Sequence, residues 1–391
     1  MTGADIPSAS TATPVRVALL TEIISPYRIP VFNALARQKG IDLHVIFLAE
    51  TDPTQRRWLV YKDEIEFSYE VLPAWRRRWG GWHILLNRGL GPALRRFRPD
   101  SILCGGYNHP AFWQALVWAK LHSARFVAWI ESTSRDQRNS SALTEFVKRR
   151  FISNCSAFVV PGKSAFEYVM SMGVPAERIH TAPNAVDNRR FANLARLARE
   201  REAQYRTELG LPPRYFVYAG RVTREKGAFQ LVEAYTRLEP ELRSQVGLVL
   251  VGEETAKDEL MKDAARIHPG SVVFPGFVQR DQLAAFYALA EALVFPTLSD
   301  PWGLVVNEAM ACGLPIIASD AAGCVADLVQ DGENGYVIPS ANVDNLAQAM
   351  AAFARDSHLA SRMGEHSARL IEGFSPECCA AGLATAAGLP A

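Results

Sequence analysis

The chain has 391 residues, of which 49% are hydrophobic and 21% charged, and its formal net charge is +1 at pH 7. One hydrophobic core rarely grows to this length, so two domains are expected. The balanced charge argues against nucleic-acid binding and is typical of a soluble globular protein. No window approaches the roughly 18 uninterrupted apolar residues of a membrane-spanning helix.

The chain start and the cysteines indicate the compartment. Residues 1–14 are small and polar without an apolar run, which predicts a flexible tail rather than a signal peptide. The six cysteines are scattered without a metal-binding spacing. Reduced thiols in a cytoplasmic protein fit this pattern best.

Short apolar runs rich in Val, Ile and Phe recur along the chain, each followed by a stretch of helical periodicity, and each run predicts a buried strand. In the first half of the chain the predicted strands are 15–20, 43–48, 100–105, 125–130 and 156–161. In the second half they are 215–220, 246–252, 271–274, 292–296 and 315–319.

Apolar strands that alternate with helices predict an α/β fold with two doubly wound, Rossmann-like domains. We place the first domain at 15–187 and the second at 188–365, and we expect a C-terminal helix within 366–391 to cross back toward the first domain. The charged segment 191–210 predicts a surface helix that ends at Gly210. Ligands should bind beyond the carboxyl ends of the strands, in the cleft between the domains.

The stretch SDPWGLVVNEAMACGLP, residues 299–315, carries two acids eight positions apart. Pro301 and Gly303 place Asp300 in a loop after a strand, whereas Glu308 falls about one turn into a helix. The free amides at the start of that helix suit a phosphate. Asp300 could then bind sugar hydroxyls, and Glu308 could accept hydrogen bonds from a ribose. Alternatively, Asp300 only caps the helix and Glu308 is a solvated surface residue.

A second loop carries positive charge at the end of a predicted strand. Gly220, Arg221 and Lys226 follow the strand 215–220. An arginine can grip two phosphate oxygens and a lysine adds a point charge, although such a loop can equally be only solvated. With the helix start, these groups could offset a diphosphate leaving group without a metal. We find no metal motif and expect no metal or other cofactor.

These motifs together resemble the retaining glycosyltransferases of family 4, which have the GT-B fold. The likeness rests on GRVTREKG (220–227), LVLVGEE (248–254), FPGFV (274–278) and SDPWGLVVNEAMACGLPIIASD (299–320), and it spans residues 15 to about 375. The resemblance implies transfer of a sugar from a nucleotide diphosphate sugar, with UDP as the favoured nucleotide, to an acceptor hydroxyl.

The resemblance also implies roles for individual residues. Glu308 would hold the ribose, Asp300 the transferred sugar, and Arg221 and Lys226 the diphosphate. The first signature acid is usually Glu in this family, whereas here it is Asp300. Further donor contacts are expected from the glycine turns, the loops flanking the base (251–254 and 275–278) and the helix start: Gly220, Gly252, Glu253, Phe277, Val278, Trp302, Gly303, Leu304 and Val305.

The acceptor-side candidates lie in the first domain. Glu131 occupies the place where many members carry a His near the reacting carbon. It could orient the acceptor or stabilise positive charge on the sugar ring, or it could only pair with a basic neighbour. Tyr27 and Arg28 lie in the loop after the first strand, and Asn108 and His109 lie after the strand 100–105. A lone His in such a loop can equally be structural.

Residues 73–99 contain seven Arg, three Trp and no acid. This composition suits a phospholipid surface or a polyprenyl diphosphate, so we expect peripheral contact with the inner face of the cell membrane. The alternatives are an exposed basic helix with its tryptophans packed on the domain, or a long loop that forms a polar acceptor pocket.

The acceptor is therefore expected to be a carbohydrate, a lipid-linked saccharide or a small molecule, in polysaccharide, lipid-linked glycan or secondary-metabolite glycoside synthesis. The rival function is a sugar-nucleotide epimerase of GT-B architecture, which would isomerise the donor without transferring it. A dinucleotide-dependent oxidoreductase would need a Gly-x-Gly-x-x-Gly motif, and the segment 21–30 after the first strand has no glycine.

Overall fold

The computed structural model describes residues 13–52, 58–79, 82–135, 142–253, 259–260 and 271–389. Most of the predicted tail, residues 1–12, lies outside these ranges, as does Glu254 of the loop expected to flank the base.

The first half of the chain forms one sheet and a separate hairpin. Its strands are β1 (Val15–Thr21), β2 (Ile41–Phe47), β3 (Ser68–Val71), β4 (Ala74–Trp79), β5 (Trp82–Asn87), β6 (Ser101–Cys104), β7 (Arg125–Trp129), β8 (Ala157–Val160) and β9 (Ile179–Thr181). Its helices are α1 (Ile29–Ala36), α2 (Leu90–Phe97), α3 (Pro110–Leu121), α4 (Ala142–Ile152) and α5 (Lys163–Ser171). The sheet is parallel in the order β3-β2-β1-β6-β7-β8-β9.

The second half forms a parallel sheet in the order β12-β11-β10-β13-β14-β15. Its strands are β10 (Tyr215–Ala219), β11 (Gly247–Val251), β12 (Val272–Gly276), β13 (Ala292–Phe295), β14 (Ile316–Ser319) and β15 (Gly335–Ile338). The helices are α6 (Asn188–Glu200), α7 (Glu202–Leu209), α8 (Ala228–Thr236), α9 (Pro240–Gln245), α10 (Arg280–Ala288), α11 (Leu304–Ala311), α12 (Val325–Leu328), α13 (Val343–Arg355), α14 (Ser357–Leu370) and α15 (Pro376–Ala387).

The predicted α/β class with two parallel, Rossmann-like sheets is confirmed, and all ten predicted strands are present. Strands β6, β8, β10, β11, β13 and β14 are buried at every residue. Helices cover both faces of these sheets, so their strands have no polar alternation. Five strands were missed: β3, β9 and β15, each at the edge of its parallel sheet, and β4 and β5 of the separate hairpin.

The prediction of one continuous helix over 191–210 is wrong, because the structure has two helices, α6 and α7, with a break at Arg201. The predicted end at Gly210 is confirmed, since Gly210 closes α7 in the left-handed conformation with φ 63°. Helix α6 lies at the surface as predicted, since seven of its thirteen residues are exposed, and its other face buries Phe191 and Ala195 and packs against α10 and α11.

Helix α15 follows the second sheet in sequence but packs on the first sheet. Cys379 and Leu383 lie in the hydrophobic core that β1 and α1 share, and Arg125 Nε donates to the carbonyl of Ala386 at 2.7 Å. The chain therefore passes between the two sheets twice, at 182–187 and again before α15.

The basic segment 73–99 is mainly an antiparallel hairpin, β4–β5, followed by the short helix α2. The alternatives of one basic helix and of a long loop are therefore both wrong. Within the hairpin Trp75 pairs across the strands with Leu86, and their side chains are 61% and 39% exposed. Among the helices of the described ranges, none has the length and apolar character needed to cross a membrane.

Candidate active site

The predicted site residues lie in loops that follow the carboxyl ends of strands in the two sheets. In the first sheet β1 lies between β2 and β6, and in the second β10 lies between β11 and β13. Crevices at such reversals of strand order are where open α/β sheets bind ligands. The residues after β10, β11, β12 and β13 therefore form one side of the candidate site.

Lys226, in the loop after β10, contacts Asp300, in the loop after β13. The Lys226 ammonium lies 2.9 Å from Oδ2 of Asp300 and donates to the carbonyl of Ser299 at 2.8 Å. The other oxygen of Asp300, Oδ1, accepts from the amide of Trp302 at 3.0 Å. Asp300 therefore orders the loop that precedes α11 and does not cap the helix itself.

Helix α11 begins without a side-chain cap. Gly303 is its N-cap residue, with φ 99°, and a Cβ there would press on the ring of Phe295. The amides of Leu304 and Val305 lie in the first turn, where an anion is favoured by the helix dipole. Trp302, predicted to contact the donor, has a buried indole, so it can offer a ligand only its backbone.

Glu308 is not the solvated surface residue of the alternative interpretation. Its side chain is half-buried, and Tyr287 Oη donates to Oε2 at 2.9 Å. Burial raises the pKa of Glu308 to about 7, against the opposing effects of this hydrogen bond and of the positive charge of Arg280. Neither Tyr287 nor Arg280 was predicted.

Two glycine turns pack against each other at the carboxyl ends of β10 and β11. Gly220 donates to the carbonyl of Val251 at 2.9 Å, and a Cβ on Gly252 would overlap the carbonyl of Gly220. Both glycines have positive φ, 145° and 149°. This close approach brings Arg221 and Glu253 to neighbouring turns, and the amide of Val222 donates to the carbonyl of Glu253 at 2.9 Å.

The remaining donor-side candidates differ in exposure. Arg221 is exposed, and among the described residues its guanidinium makes no ion pair. Phe277 is 38% exposed, while Val278 packs against the core of the second domain. The structure thus places an exposed cation and an exposed aromatic ring on the loops after β10 and β12.

Glu131 pairs with Arg28, as the alternative interpretation of this acid held. The Arg28 guanidinium also donates to Oδ1 of Asn184 at 3.1 Å and lies 4.2 Å from the centre of the Trp129 ring. The neighbouring Tyr27 packs edge-on against Trp58, with 6.0 Å between the ring centres. Arg28 is therefore fixed by contacts on several sides.

His109 is buried beneath the hairpin. The amide of Leu85 donates to its Nδ1 at 3.4 Å, and its Nε2 lies 3.4 Å from an oxygen of Glu22. Only 1% of the residue is exposed, so the structure favours the structural role for this His over contact with an acceptor. The adjacent Asn108 is exposed.

A cluster of four charges joins the domains, and sequence reasoning missed it. Glu64 of the first domain accepts from Arg280 at 2.7 Å and from Arg190 at 3.1 Å, and Arg190 also pairs with Asp281 at 2.5 Å. Arg280 lies 4.3 Å from the centre of the Tyr61 ring. Glu64, Arg190 and the adjacent pair Arg280 and Asp281 are far apart in sequence, so no local signal could have revealed the cluster.

A second contact between the domains lies at α5. The backbone amide of Lys163 donates to Oδ2 of Asp327 at 3.0 Å, and Lys163 Nζ donates to the carbonyl of Ala326 at 3.1 Å. The loops that carry the candidate residues thus lie in a cleft whose walls are in contact at both these places.

The architecture is the GT-B fold, in which two Rossmann-like domains share a cleft. The Anabaena protein HepE, solved in complex with UDP, superposes with a TM-score of 0.75 at 18% identity, over 95% of this chain and 99% of that one. Sucrose-phosphate synthase from Thermosynechococcus elongatus gives a TM-score of 0.72 at 19% identity, over 95% and 98% of the two chains.

The family is defined by sequence. Residues 31–190 match the family model described as Glycosyltransferase Family 4, and residues 201–370 match the one described as Glycosyl transferases group 1. The two matches account for both domains, and the chain belongs to the family 4 glycosyltransferases.

Two curated relatives are both named as transferases of sugars. Alpha-D-kanosaminyltransferase of Streptomyces kanamyceticus is 28% identical over 321 residues, which is 78% of this chain and 80% of the relative. A D-inositol 3-phosphate glycosyltransferase of Streptomyces bingchenggensis is 33% identical over 233 residues, 57% of this chain. That match spans only 50% of the relative, so the likeness covers about half of its length.

Proposed function

We propose that this protein is a retaining glycosyltransferase that needs no metal and moves a sugar from a UDP-sugar to an acceptor hydroxyl. The observation that carries the proposal is the Lys226–Asp300 pair beside the uncapped start of α11. Lys226, Arg221 and the first amides of α11 would hold the diphosphate, and Glu308 would accept hydrogen bonds from the ribose.

In the proposed reaction the bond between the anomeric carbon and the diphosphate oxygen breaks, and a bond to the acceptor oxygen forms on the same face. The acceptor proton passes to an oxygen of the leaving phosphate, so no protein nucleophile is needed. Catalysis then consists of charge stabilisation and positioning. Lys226, Arg221 and the helix amides supply positive potential where the charge develops, and Asp300 binds the sugar.

UDP is the proposed nucleotide because the HepE structure named above contains it. For the acceptor we propose a carbohydrate or a small cyclic polyol, since one relative is named for inositol 3-phosphate. Both relatives are named as transferases, which supports transfer over the epimerase alternative.

The test is a panel of UDP, GDP, ADP and dTDP sugars incubated with the protein and candidate acceptors in EDTA. A ligand at a hundred times its Kd should stabilise the fold by about 2.7 kcal/mol, which a thermal shift detects. Proton NMR of the product should show the anomeric configuration of the donor. Inversion, an absolute need for added metal, or isomerised donor without transfer would each contradict the proposal.

We also propose that the protein is cytoplasmic and touches the membrane surface through the hairpin β4–β5. Trp75 and Leu86 form an exposed apolar pair, and the exposed Arg88 and Arg95 follow on the same segment. Vesicles containing anionic lipid should therefore co-sediment the protein. The Trp75→Ser/Leu86→Ser variant should lose this binding, whereas Leu197→Ser, an exposed leucine of the second domain, should keep it. Equal binding by all three proteins would exclude the hairpin.

A further inference from the structure

Asn307 of α11 is a fully buried polar residue outside the predicted site. Its Oδ1 accepts from the indole Nε1 of Trp302 at 2.8 Å, and its Nδ2 donates to the backbone carbonyl of Asn184 at 2.8 Å. Asn184 is itself buried and belongs to the segment that joins the two domains. One amide therefore connects the donor loop to the domain junction.

Hydrogen bonds continue from both ends of this connection. On the first-domain side, Asn184 accepts through Oδ1 from Arg28, which pairs with Glu131. On the donor side, the amide of Trp302 donates to Asp300, and Asp300 pairs with Lys226. We call this continuous set the interdomain relay; its members are Glu131, Arg28, Asn184, Asn307, Trp302, Asp300 and Lys226.

The junction segment is fixed on both sides of Asn184. Ala185 lies in the hydrophobic core of the first domain, and Val186 lies in the core of the second. The carbonyl that Asn307 contacts therefore has a defined position relative to both cores. A buried amide needs partners for both its donor and its acceptor, so Asn307 can satisfy them only when α11 sits at this one position.

We propose that Asn307 is a positioning residue, which through the interdomain relay sets the place of the Asp300 loop relative to Glu131. The proposal rests on the proposed glycosyl transfer, in which donor and acceptor are bound by loops of different domains. Asn307 precedes Glu308 on α11, and the start of α11 would hold the phosphates. Fixing the middle of this helix to the junction therefore fixes the donor relative to the acceptor side.

The informative variant is Asn307→Leu, which keeps much of the volume and removes both hydrogen bonds. The matched control is Asn334→Leu. Asn334 is also fully buried, and its Nδ2 donates to the carbonyl of Leu328 at 2.9 Å, but it lies before β15, at the end of the sheet away from the site. Both variants lose a buried amide of the second domain, and only one lies in the relay.

Two quantities separate positioning from a general structural role: the affinity for UDP, and the ratio of sugar transfer to donor hydrolysis. In Asn307→Leu we expect the Kd for UDP to stay within about threefold, because the diphosphate-binding groups remain. The transfer-to-hydrolysis ratio should fall by roughly tenfold or more, since small displacements of reacting groups are costly. Asn334→Leu should leave that ratio unchanged even where its Tm falls as far.

An Asn307→Leu protein with the wild-type ratio and only a lowered Tm would overturn the proposal. Where Asn307→Leu does not fold, Trp302→Phe keeps an aromatic ring but removes the indole N–H with part of the ring volume, and it must lower the ratio in the same direction. Combining either variant with Glu131→Gln should give effects that are not additive, whereas additive effects would disprove coupling through the relay. A wild-type protein that binds UDP but transfers no sugar would instead refute the proposed function, and this inference with it.

Discussion

The Lys226 ammonium lies 2.9 Å from Oδ2 of Asp300, and the two side chains are only 15% and 20% exposed. The cation and the acid of the donor loop are thus a partly buried ion pair that is held in one orientation. Loss of either partner would leave the other charge poorly solvated. The pair therefore matters both for binding a donor and for the shape of the loop.

Replacing Lys226 by Ala should lower kcat by about 10²- to 10³-fold, because a charge that stabilises the leaving diphosphate is lost. The measurement is the initial rate of transfer in EDTA at saturating donor. Arg224→Ala is the control, since Arg224 lies on the same loop but its side chain is 66% exposed and pairs with Glu259. It should stay near the wild-type rate. Near-normal turnover by Lys226→Ala would remove Lys226 from the site.

The Glu308 carboxyl should make stability depend on pH. Burial raises its pKa from the ordinary 4.5 to about 7, so the folded state holds the proton more tightly than the unfolded state does. Protonation of Glu308 therefore contributes fully to the stability of the folded state below pH 4.5. This contribution is lost as the pH rises from 4.5 through 7. In calorimetry, the Tm of the wild type should fall relative to that of Glu308→Gln across this interval and level off above it. A constant difference across the interval would show that the carboxyl titrates normally.

The interdomain charge cluster should contribute measurably to stability. Glu64 is 24% exposed and accepts from two guanidinium groups. We expect Glu64→Gln to cost about 1.5–3 kcal/mol in urea unfolding, the usual range for hydrogen bonds to a charged group. The nearby Glu66 pairs with Arg37, but both side chains are more than half exposed. Glu66→Gln should thus cost less than about 1 kcal/mol. Similar losses in the two variants would argue against a special role for Glu64.

Gly252 should not tolerate a side chain. Its φ is 149°, and a Cβ would overlap the carbonyl of Gly220. Gly252→Ala should therefore destabilise by more than the roughly 1–3 kcal/mol of backbone strain alone. Gly173→Ala isolates the strain, because Gly173 also has positive φ, 86°, but a Cβ added there would meet no atom within 4 Å. Chemical unfolding of both variants compares them, and equal losses would mean that the Gly220 turn yields to the new methyl group.

The parts of the fold that were predictable from sequence are those in which burial produces a local pattern of apolar residues. Strands such as β10 and β11 are covered on both faces and appear as unbroken apolar runs. The edge strand β9 reads Ile-His-Thr and gives no such signal. The break at Arg201 was missed because two consecutive helices with similar composition look like one.

The candidate site divides in the same way. Asp300 and Glu308 could be assigned to one site from the sequence, because they lie on one loop and the helix that follows it. The local fold of this short segment fixes their separation. The partners Glu64 and Arg280, and likewise Asn184 and Asn307, come from different domains. These partners come together only because the two domains pack against each other, and local sequence patterns do not show how the domains pack.

The placement of α15 on the first sheet has a mechanical consequence. The chain connects the domains at two places, one at 182–187 and one before α15. These two connections define a line through the molecule. Sliding of one domain over the other would stretch a connection, whereas rotation about the line would not. Opening and closing of the cleft should therefore be a rotation about one axis. The ion pairs around Glu64 join the two domains and would stabilise the closed position.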